Sequence, residues 1–291
     1  MRRTRERWFY LLISPWLAGF FLLQCLPIVV GLCLSLTDWN LTGPLHWAGA
    51  KHFLAAATDP RTHRALANTA KYVLGSVPLS LGLALALAIA LNRTQAMAGN
   101  NALRTAIFLP SVMSGVAIAF VWAWLLDPRF GPLNAALRMI GISGPGWFRD
   151  AGWALPAMIL LGVWGCGGAM MIYLAALVTL PRELYEAATL DGAGRLARFR
   201  FITFPLLSPV TFYLIVVALI NAFQLFTPAY VITRGGPQGA TLLTGLHMYL
   251  TGFQFGRFGE ASALALFILA VTLVVTLVQF RLSGRWVHYE G

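Results

Sequence analysis

Long apolar runs dominate the chain, and short polar segments separate them. Six runs contain no Asp, Glu, Lys, Arg or His, and they cover residues 9–36, 72–91, 106–126, 153–177, 205–225 and 261–280. Each run is rich in Leu, Val, Ala and Phe and lacks the alternation of a strand. About 20 apolar residues cross a bilayer as a helix, which satisfies its own backbone groups there. The pattern predicts an all-α integral membrane protein with six transmembrane helices.

The first run follows a basic N-terminal segment, as the hydrophobic part of a signal peptide does. It is 28 residues long, whereas the hydrophobic part of a signal peptide has about 7–15 residues. We therefore expect a retained helix that is tilted, or kinked at Pro27.

Composition agrees with the membrane class. Hydrophobic residues make up 58% of the 291 residues and charged residues only 11%, and the mean hydropathy is +0.72. A soluble domain carries about 25% charged residues. The net charge of +11 does not indicate a nucleic-acid partner, because the cations lie at the ends of apolar runs and not on one folded face. No linker or repeat divides the sequence, so one membrane domain over residues 1–291 is expected.

The distribution of Lys and Arg predicts the orientation of the helices. With the N-terminus inside, 12 of the 21 cations fall in 60 inner residues and the other 9 in 96 outer residues. Inner loops carry the higher density of cations in membrane proteins. Both termini and the segment 178–204 are therefore expected in the cytoplasm.

If the chain is a transporter, its sequence contains no evident energy source. Proton-coupled carriers usually keep ionisable groups within their spans, and these six runs have none, although sodium sites can be built from carbonyl groups. The two lysines, Lys51 and Lys71, lie in no phosphate-binding loop of the form G-x-x-x-x-G-K-[ST]. If ATP drives the protein, another chain must bind it.

The sequence gives little support for an intramembrane protease or a metal site. Gly141-Ile142-Ser143-Gly144 resembles the nucleophile tetrapeptide of rhomboid-like proteases, but a serine nucleophile needs a base and no run contains histidine. This segment is expected to be an exterior turn. His46, His52 and His63 share the first outer loop without the H-E-x-x-H spacing of a zinc site. Neither a catalytic nor a metal site is expected.

The polar segment 178–204 is the most informative part of the chain. Pro181 and Glu183 suit the first turn of a helix, where a missing N–H costs nothing and negative charge is favourable. Asp191 and Gly192 are expected to end that helix, because glycine readily adopts the left-handed cap conformation.

A second short helix is expected from about Arg195 to Thr203, before Pro205 starts the next span. The segment would then form an elbow of two helices around a glycine, with small alanines that let a partner approach closely. The alternative is a loop folded back on itself, in which Glu186 merely pairs with Arg182. Such a pair contributes only about 0.2–0.5 kcal/mol, so the local sequence leaves both interpretations open.

The spacing of this segment resembles the EAA loop of ABC importer permeases. Glu186-Ala187-Ala188, three residues, Gly192, nine residues and Ile202-Thr203-Phe204-Pro205 match E-A-A-x3-G-x9-I-x-L-P, with Phe204 in place of the usual Leu. In that family the loop forms the coupling helices that sit in a groove of the ATPase subunit. The resemblance assigns ATPase coupling to Glu186, Ala187, Ala188, Asp191 and Gly192.

Other stretches extend the resemblance to the carbohydrate-uptake subfamily, namely residues 34–40, 68–69, 108–110, 180–185 and 233–237. They are most similar to the MalF-type or UgpA-type subunit.

The resemblance implies a MetI-like permease fold and a multi-pass sugar permease of the bacterial inner membrane. It also implies a second, MalG-type permease, two copies of an ABC ATPase and an extracytoplasmic solute-binding protein. ATP and magnesium would belong to the ATPase, so this chain would carry no cofactor and would not itself be an enzyme. The alternative function is a secondary carrier that works without ATP.

Candidate sugar contacts lie midway along two runs. A sugar needs hydrogen-bond partners and a flat apolar face, which Trp164 with Gly165 and Gly168 would provide on the fourth run. Asn221, Phe223 and Gln224 would do so on the fifth. The alternatives are interior packing for Trp164, close helix packing for the glycines, and hydrogen bonds between helices for Asn221 and Gln224.

Overall fold

The computed structural model of the protein describes residues 2–40, 43–93 and 100–287, which are mainly helical. The α-helices are α1 (Arg2–Phe20), α2 (Leu26–Ser35), α3 (Lys51–Thr58), α4 (Pro60–Arg93), α5 (Asn100–Val112), α6 (Gly115–Leu125), α7 (Pro132–Met139), α8 (Ala154–Trp164), α9 (Gly167–Thr179), α10 (Arg182–Leu190), α11 (Arg195–Arg198), α12 (Phe204–Leu206), α13 (Ser208–Phe223), α14 (Thr244–Tyr249) and α15 (Phe258–Ser283).

The remaining elements are short. Turns of π-helix cover Phe21–Cys25, Phe199–Thr203, Ala229–Thr233 and Leu250–Gln254, and a 3₁₀ turn covers Trp147–Arg149. Strands β1 (Thr37–Asp38) and β2 (His46–Trp47) pair antiparallel, with Thr37 opposite Trp47 and Asp38 opposite His46.

The chain falls into two compact units. One unit contains Met1–His63 and His247–Ala270, and the other contains Arg64–Leu246 and Val271–Gly291. The expectation of a single membrane domain over residues 1–291 stays a prediction.

Three helical segments are long and apolar enough to cross a membrane: Phe9–Ser35, Pro60–Asn92 and Phe258–Ser283. They contain the predicted runs 72–91 and 261–280 and nearly all of 9–36, so the structure confirms a helix at each of these three runs. The second helix is longer than its apolar run, because the polar turns from Pro60 onwards continue the same α4 helix.

The other three predicted runs coincide with pairs of helices that meet at an angle. The angles are 103° between Asn101–Val112 and Gly115–Leu125, 41° between Ala154–Trp164 and Gly167–Thr179, and 65° between Arg195–Leu206 and Ser208–Phe223. Within the described ranges the chain therefore has three candidate spans, or up to six if each bent pair counts as one.

Local backbone chemistry explains where these helices break. Ser114 takes the extended angles φ −59° and ψ 131° between α5 and α6, so one continuous helix over 106–126 is a wrong prediction. Gly165 and Cys166 separate α8 from α9 within the run 153–177. The long helix of the run 205–225 starts at Ser208 and not at Pro205, because α12 continues through Pro205 and the bend follows it at Leu207.

Pro27 affects the first helix through the turn that precedes it. The π-helical turn Phe21–Cys25 ends two residues before Pro27, and the Leu26 N–H donates to the Phe21 carbonyl. Proline has no N–H for the regular ladder, and a wider turn is a common response to such a gap. The expected irregularity is therefore present as a π-turn, and the segment Phe9–Ser35 continues as one helix.

In the unit formed by Met1–His63 and His247–Ala270, a histidine fixes the small hairpin. His52 Nε2 lies 3.1 Å from the Thr37 carbonyl oxygen and 3.0 Å from Asp38 Oδ1, and Lys51 Nζ lies 3.0 Å from Asp38 Oδ2. Gly259 leaves no room for a Cβ, because its backbone packs directly against the Thr37 carbonyl. These contacts join β1 to α3 and to the start of α15.

In the second unit, side chains of α4 hold the turn over residues 233–244. Asn68 Nδ2 donates to the carbonyls of Gly239 and Leu242 at 2.8 and 3.2 Å, and Thr69 Oγ1 accepts the Thr244 N–H at 3.0 Å. Thr241 Oγ1 in turn contacts Thr233 Oγ1 at 2.6 Å and donates to the Gly236 carbonyl at 2.7 Å, so the stretch 233–237 is held to the same turn. The core of this unit contains the fully buried side chains of Met158, Met170, Tyr173, Leu207 and Leu246.

Candidate functional site

Helix α10 and the residues after it form the elbow that the sequence predicts, here defined as residues 181–206. Pro181 has φ −61° and ψ 125° and caps α10, one position before the place expected for it. Glu183 lies in the first turn, where its charge favours the helix dipole. Glu186 and Ala187 are exposed and Ala188 is half-buried.

Gly192 ends α10 in a Schellman motif. Its φ of +78° lies in the left-handed region. The Ala193 N–H donates to the Ala188 carbonyl at 2.8 Å and the Gly192 N–H to the Thr189 carbonyl at 3.1 Å, which are the two bonds of this cap. The sequence prediction that Asp191 and Gly192 stop the helix is confirmed, and the motif explains why glycine stands there.

The second arm of the elbow runs from Arg195 to Leu206. Helix α11 passes into the π-turn Phe199–Thr203, in which the Phe204 N–H donates to the Phe199 carbonyl. This turn ends two residues before Pro205, as the π-turn Phe21–Cys25 does before Pro27. The expected second helix is therefore present, with a π-helical second half.

Side-chain hydrogen bonds hold the two arms together. Tyr185 Oη and Thr203 Oγ1 lie 2.9 Å apart, and Arg198 donates through Nη1 to Thr189 Oγ1 at 2.8 Å. Thr203 is buried although both arms are short. The elbow is consequently a defined structure and not an extended loop.

Three large apolar side chains of the elbow are mostly exposed. Leu190, Leu196 and Phe201 are 89%, 79% and 72% exposed. Among the described residues Glu186 forms no ion pair with Arg182, so the folded-back alternative lacks the contact it invoked. Exposed apolar patches mark sites of contact with another protein or with a membrane.

The candidate sugar-contact residues lie at two places in the unit that contains Arg64–Leu246. Trp164 packs edge-to-face on Trp122 with ring centroids 5.8 Å apart and is 39% exposed. Gly165 lies at the bend between α8 and α9, and Gly168 has open space, with Ser111 Cβ nearest at 4.0 Å.

The other three candidates lie at the end of α13. Asn221 and Gln224 are exposed, whereas the Phe223 ring is only 6% exposed and its carbonyl accepts the Thr244 hydroxyl at 2.9 Å. The sequence analysis did not identify Trp122 as a neighbour of the candidate sugar contact Trp164, against which it packs. The signal available was the pair of tryptophans two residues apart, Trp122 and Trp124, inside an apolar run.

Comparisons with known proteins match nearly the whole chain. The profile of the family described as "Binding-protein-dependent transport system inner membrane component" matches residues 68–288. The chain is 40% identical to the probable ABC transporter permease protein YesP of Bacillus subtilis (strain 168), over 97% of this chain and 92% of that protein. It is 35% identical to the lactose transport system permease protein LacF of Rhizobium radiobacter, over 93% and 92% of the two chains.

Solved structures agree with these relatives. A chain of a bacterial ABC transporter involved in the import of the acidic polysaccharide alginate superposes with a TM-score of 0.82 at 26% identity, over 97% of this chain and 96% of that chain. A second structure of a bacterial alginate ABC transporter, in complex with an alginate pentasaccharide-bound periplasmic protein, gives a TM-score of 0.83 at 25% identity over the same shares.

Proposed function

The chain belongs to the family of binding-protein-dependent transport system inner membrane components, and from this premise we propose that it is a permease subunit of an ABC importer for a sugar or sugar derivative. Relatives named as lactose and arabinooligosaccharide permeases and the alginate transporter structures support a carbohydrate substrate. The alternative of a secondary carrier without ATP is not supported, because the matched relatives are ABC permeases.

The proposed topology has six spans with both termini in the cytoplasm. Three single helices and three bent pairs supply the elements for it, and the excess of Lys and Arg in the inner segments sets the orientation. With this orientation the elbow lies on the cytoplasmic side. The chain would be a multi-pass protein of a bacterial inner membrane.

The exposed, capped elbow is the observation that carries the proposal of ATPase coupling. Glu186, Ala187 and Ala188 lie on a short helix that Gly192 terminates and that the second arm braces. A partner can reach this helix because Glu186, Ala187 and Leu190 are exposed on it. ATP and magnesium belong to that partner, and closure of two ATPase copies would move the elbow as a rigid body.

The proposed assembly contains a second, MalG-type permease and an extracytoplasmic binding protein that delivers the sugar. The alginate transporter in complex with its periplasmic protein supports such an arrangement. The exposed residues Trp164, Asn221 and Gln224 are the proposed sugar contacts, with Gly165 and Gly168 leaving space beside the tryptophan. Phe223 would support them from the interior.

Copurification tests the proposed function. When this chain is tagged and expressed with the genes beside its own, we expect an ATPase chain and a second permease to be recovered with it, and uptake to require all three. The test variant is Leu190→Asp with Leu196→Asp, which replaces two exposed apolar side chains of the elbow by charges. It should lose the ATPase and keep the second permease, whereas sugar uptake without any ATPase would contradict the proposal.

A further inference from the structure

A cavity of about 600 Å³ lies inside the elbow, between its two arms and the ends of two membrane helices. Ile89 of α4 and Leu177 and Val178 of α9 form part of an apolar wall, and Arg182, Arg195 and Arg198 supply three cations. Among the residues that the structure describes, no Asp or Glu belongs to the lining. The cavity therefore combines an apolar wall with an uncompensated positive one.

Most guanidinium N–H donors of the three arginines in this cavity are available to bind a ligand. In the part of the chain that the structure describes, none of the three forms an ion pair. Arg198 uses one Nη1 donor on Thr189 Oγ1, and its other guanidinium donors remain. Orientation rules explain why arginines lie on this side of the membrane, but they do not explain why three of them converge on one cavity.

The depth of the cavity indicates an amphiphilic ligand. The apolar span of α4 ends at Asn92, a lining residue, and α9 ends at Thr179, one residue after the lining residue Val178. The ends of membrane helices lie at the level of lipid headgroups. Basic pockets between helices at that level suit acidic headgroups, and guanidinium groups bind phosphate oxygens in a forked geometry.

We propose that this cavity binds a phosphate-bearing anion, supplied as the headgroup of an acidic phospholipid. The proposal rests on the cytoplasmic orientation of the elbow given under the proposed function. The three guanidinium groups contact the phosphate, and the ends of α4 and α9 contact the glycerol and the first methylenes of the lipid. A bound headgroup connects both arms of the elbow to the membrane helices and thereby stiffens the coupling element.

The test uses the complete complex, purified in mild detergent through a tag on this chain. Short-chain phosphatidylglycerol, short-chain phosphatidylcholine and inorganic phosphate serve as separate probes, with binding measured by native mass spectrometry. We expect phosphatidylglycerol to bind and phosphatidylcholine not to. The variant Arg182→Gln with Arg195→Gln should weaken binding by roughly 25-fold, since each cation near an anionic surface contributes about fivefold. Arg198 is left in place because it braces the elbow.

Arg200→Gln is the matched control. Arg200 is exposed on the same arm, stacks over Phe201 with 5.9 Å between the guanidinium carbon and the ring centroid, and does not line the cavity. Its loss should leave phosphatidylglycerol binding within about twofold, since a single surface charge away from the site contributes little. Equal losses in both variants would overturn the proposal, because the cations would then act only through general surface charge.

The remaining outcomes separate the sources of the anion. If inorganic phosphate binds as tightly as phosphatidylglycerol and depends on the same two arginines, the phosphate site stands and its ligand is soluble. If neither probe binds, the proposal fails, and cross-linking of an Arg195→Cys variant to the ATPase chain would then indicate that an acidic protein segment fills the cavity. Recovery of the ATPase chain is measured in the same preparations, so failure of the proposed function is detected independently.

Discussion

Replacing Gly192 by serine is expected to lower sugar uptake and transport-coupled ATP hydrolysis by about tenfold while the complex still assembles. A side chain at a φ of +78° costs about 1–2 kcal/mol, and every 1.4 kcal/mol changes an equilibrium about tenfold. The two capping hydrogen bonds at Ala193 and Gly192 would be lost from most molecules. Uptake of labelled sugar and binding-protein-stimulated ATPase activity in proteoliposomes measure the effect.

Gly194 provides the matched control for this substitution. It lies two residues further on, has φ −67° and ψ 170°, precedes α11 as its N-cap and has open space where a Cβ would stand. Serine is favoured at such a position, so Gly194→Ser should leave uptake unchanged. Gly192→Asn should restore part of the activity, because asparagine tolerates the left-handed conformation. If Gly192→Ser couples as well as the unmodified protein, the elbow does not transmit the ATPase movement.

Replacing Gly167 by alanine is expected to destabilise the packing of α9 on α5. A Cβ at Gly167 would collide with the Ile107 carbonyl oxygen and would lie 2.9 Å from Phe108 Cα. Both are backbone atoms, which cannot move away as the end of a flexible side chain can. Overpacking of this kind lowers the free energy of unfolding by about 1–3 kcal/mol. Small residues at helix contacts are what allow backbones to approach in membranes. Thermal unfolding in detergent, followed by tryptophan fluorescence, should show a midpoint lower by roughly 2–10 °C.

Gly168→Ala is the comparison that isolates the cause. Gly168 is the next residue of the same helix, and the nearest atom to its added Cβ is Ser111 Cβ at 4.0 Å. The variant should unfold at the same temperature as the unmodified protein, since alanine also has the higher helix propensity. Equal midpoints for the Gly167 and Gly168 variants would show that α5 and α9 do not approach each other as closely as described.

The elbow could be predicted from the sequence because its signals are local. A proline before the helix, a carboxylate in the first turn and a glycine at the end each act within four residues of their own position. The bends within the membrane runs were not predictable in this way. The run 106–126 is uniformly apolar across Ser114, and the 103° turn there depends on packing that hydropathy does not record.

For the candidate sugar-contact residues, the sequence likewise did not predict their contacts or their exposure. The sequence identifies Trp164 as a flat apolar surface, but its edge-to-face contact with Trp122 joins residues 42 positions apart. Phe223 and Gln224 are neighbours in sequence, yet the first is buried and the second exposed. Apolar runs of this kind carry almost no information about which side of a helix faces its neighbours, because lipid and protein interior are equally apolar.

The π-turn before Pro205 fixes the rotation of the second arm of the elbow about its helix axis relative to α12. Such a turn is an α-helix that holds one additional residue, and each residue advances a helix by about 100°. Removing one residue from Phe199–Thr203 would rotate Arg195 and Leu196 by about 100° about the helix axis relative to α12. The number of residues in the turn before Pro205 therefore sets the directions in which Arg195 and Leu196 project from this arm.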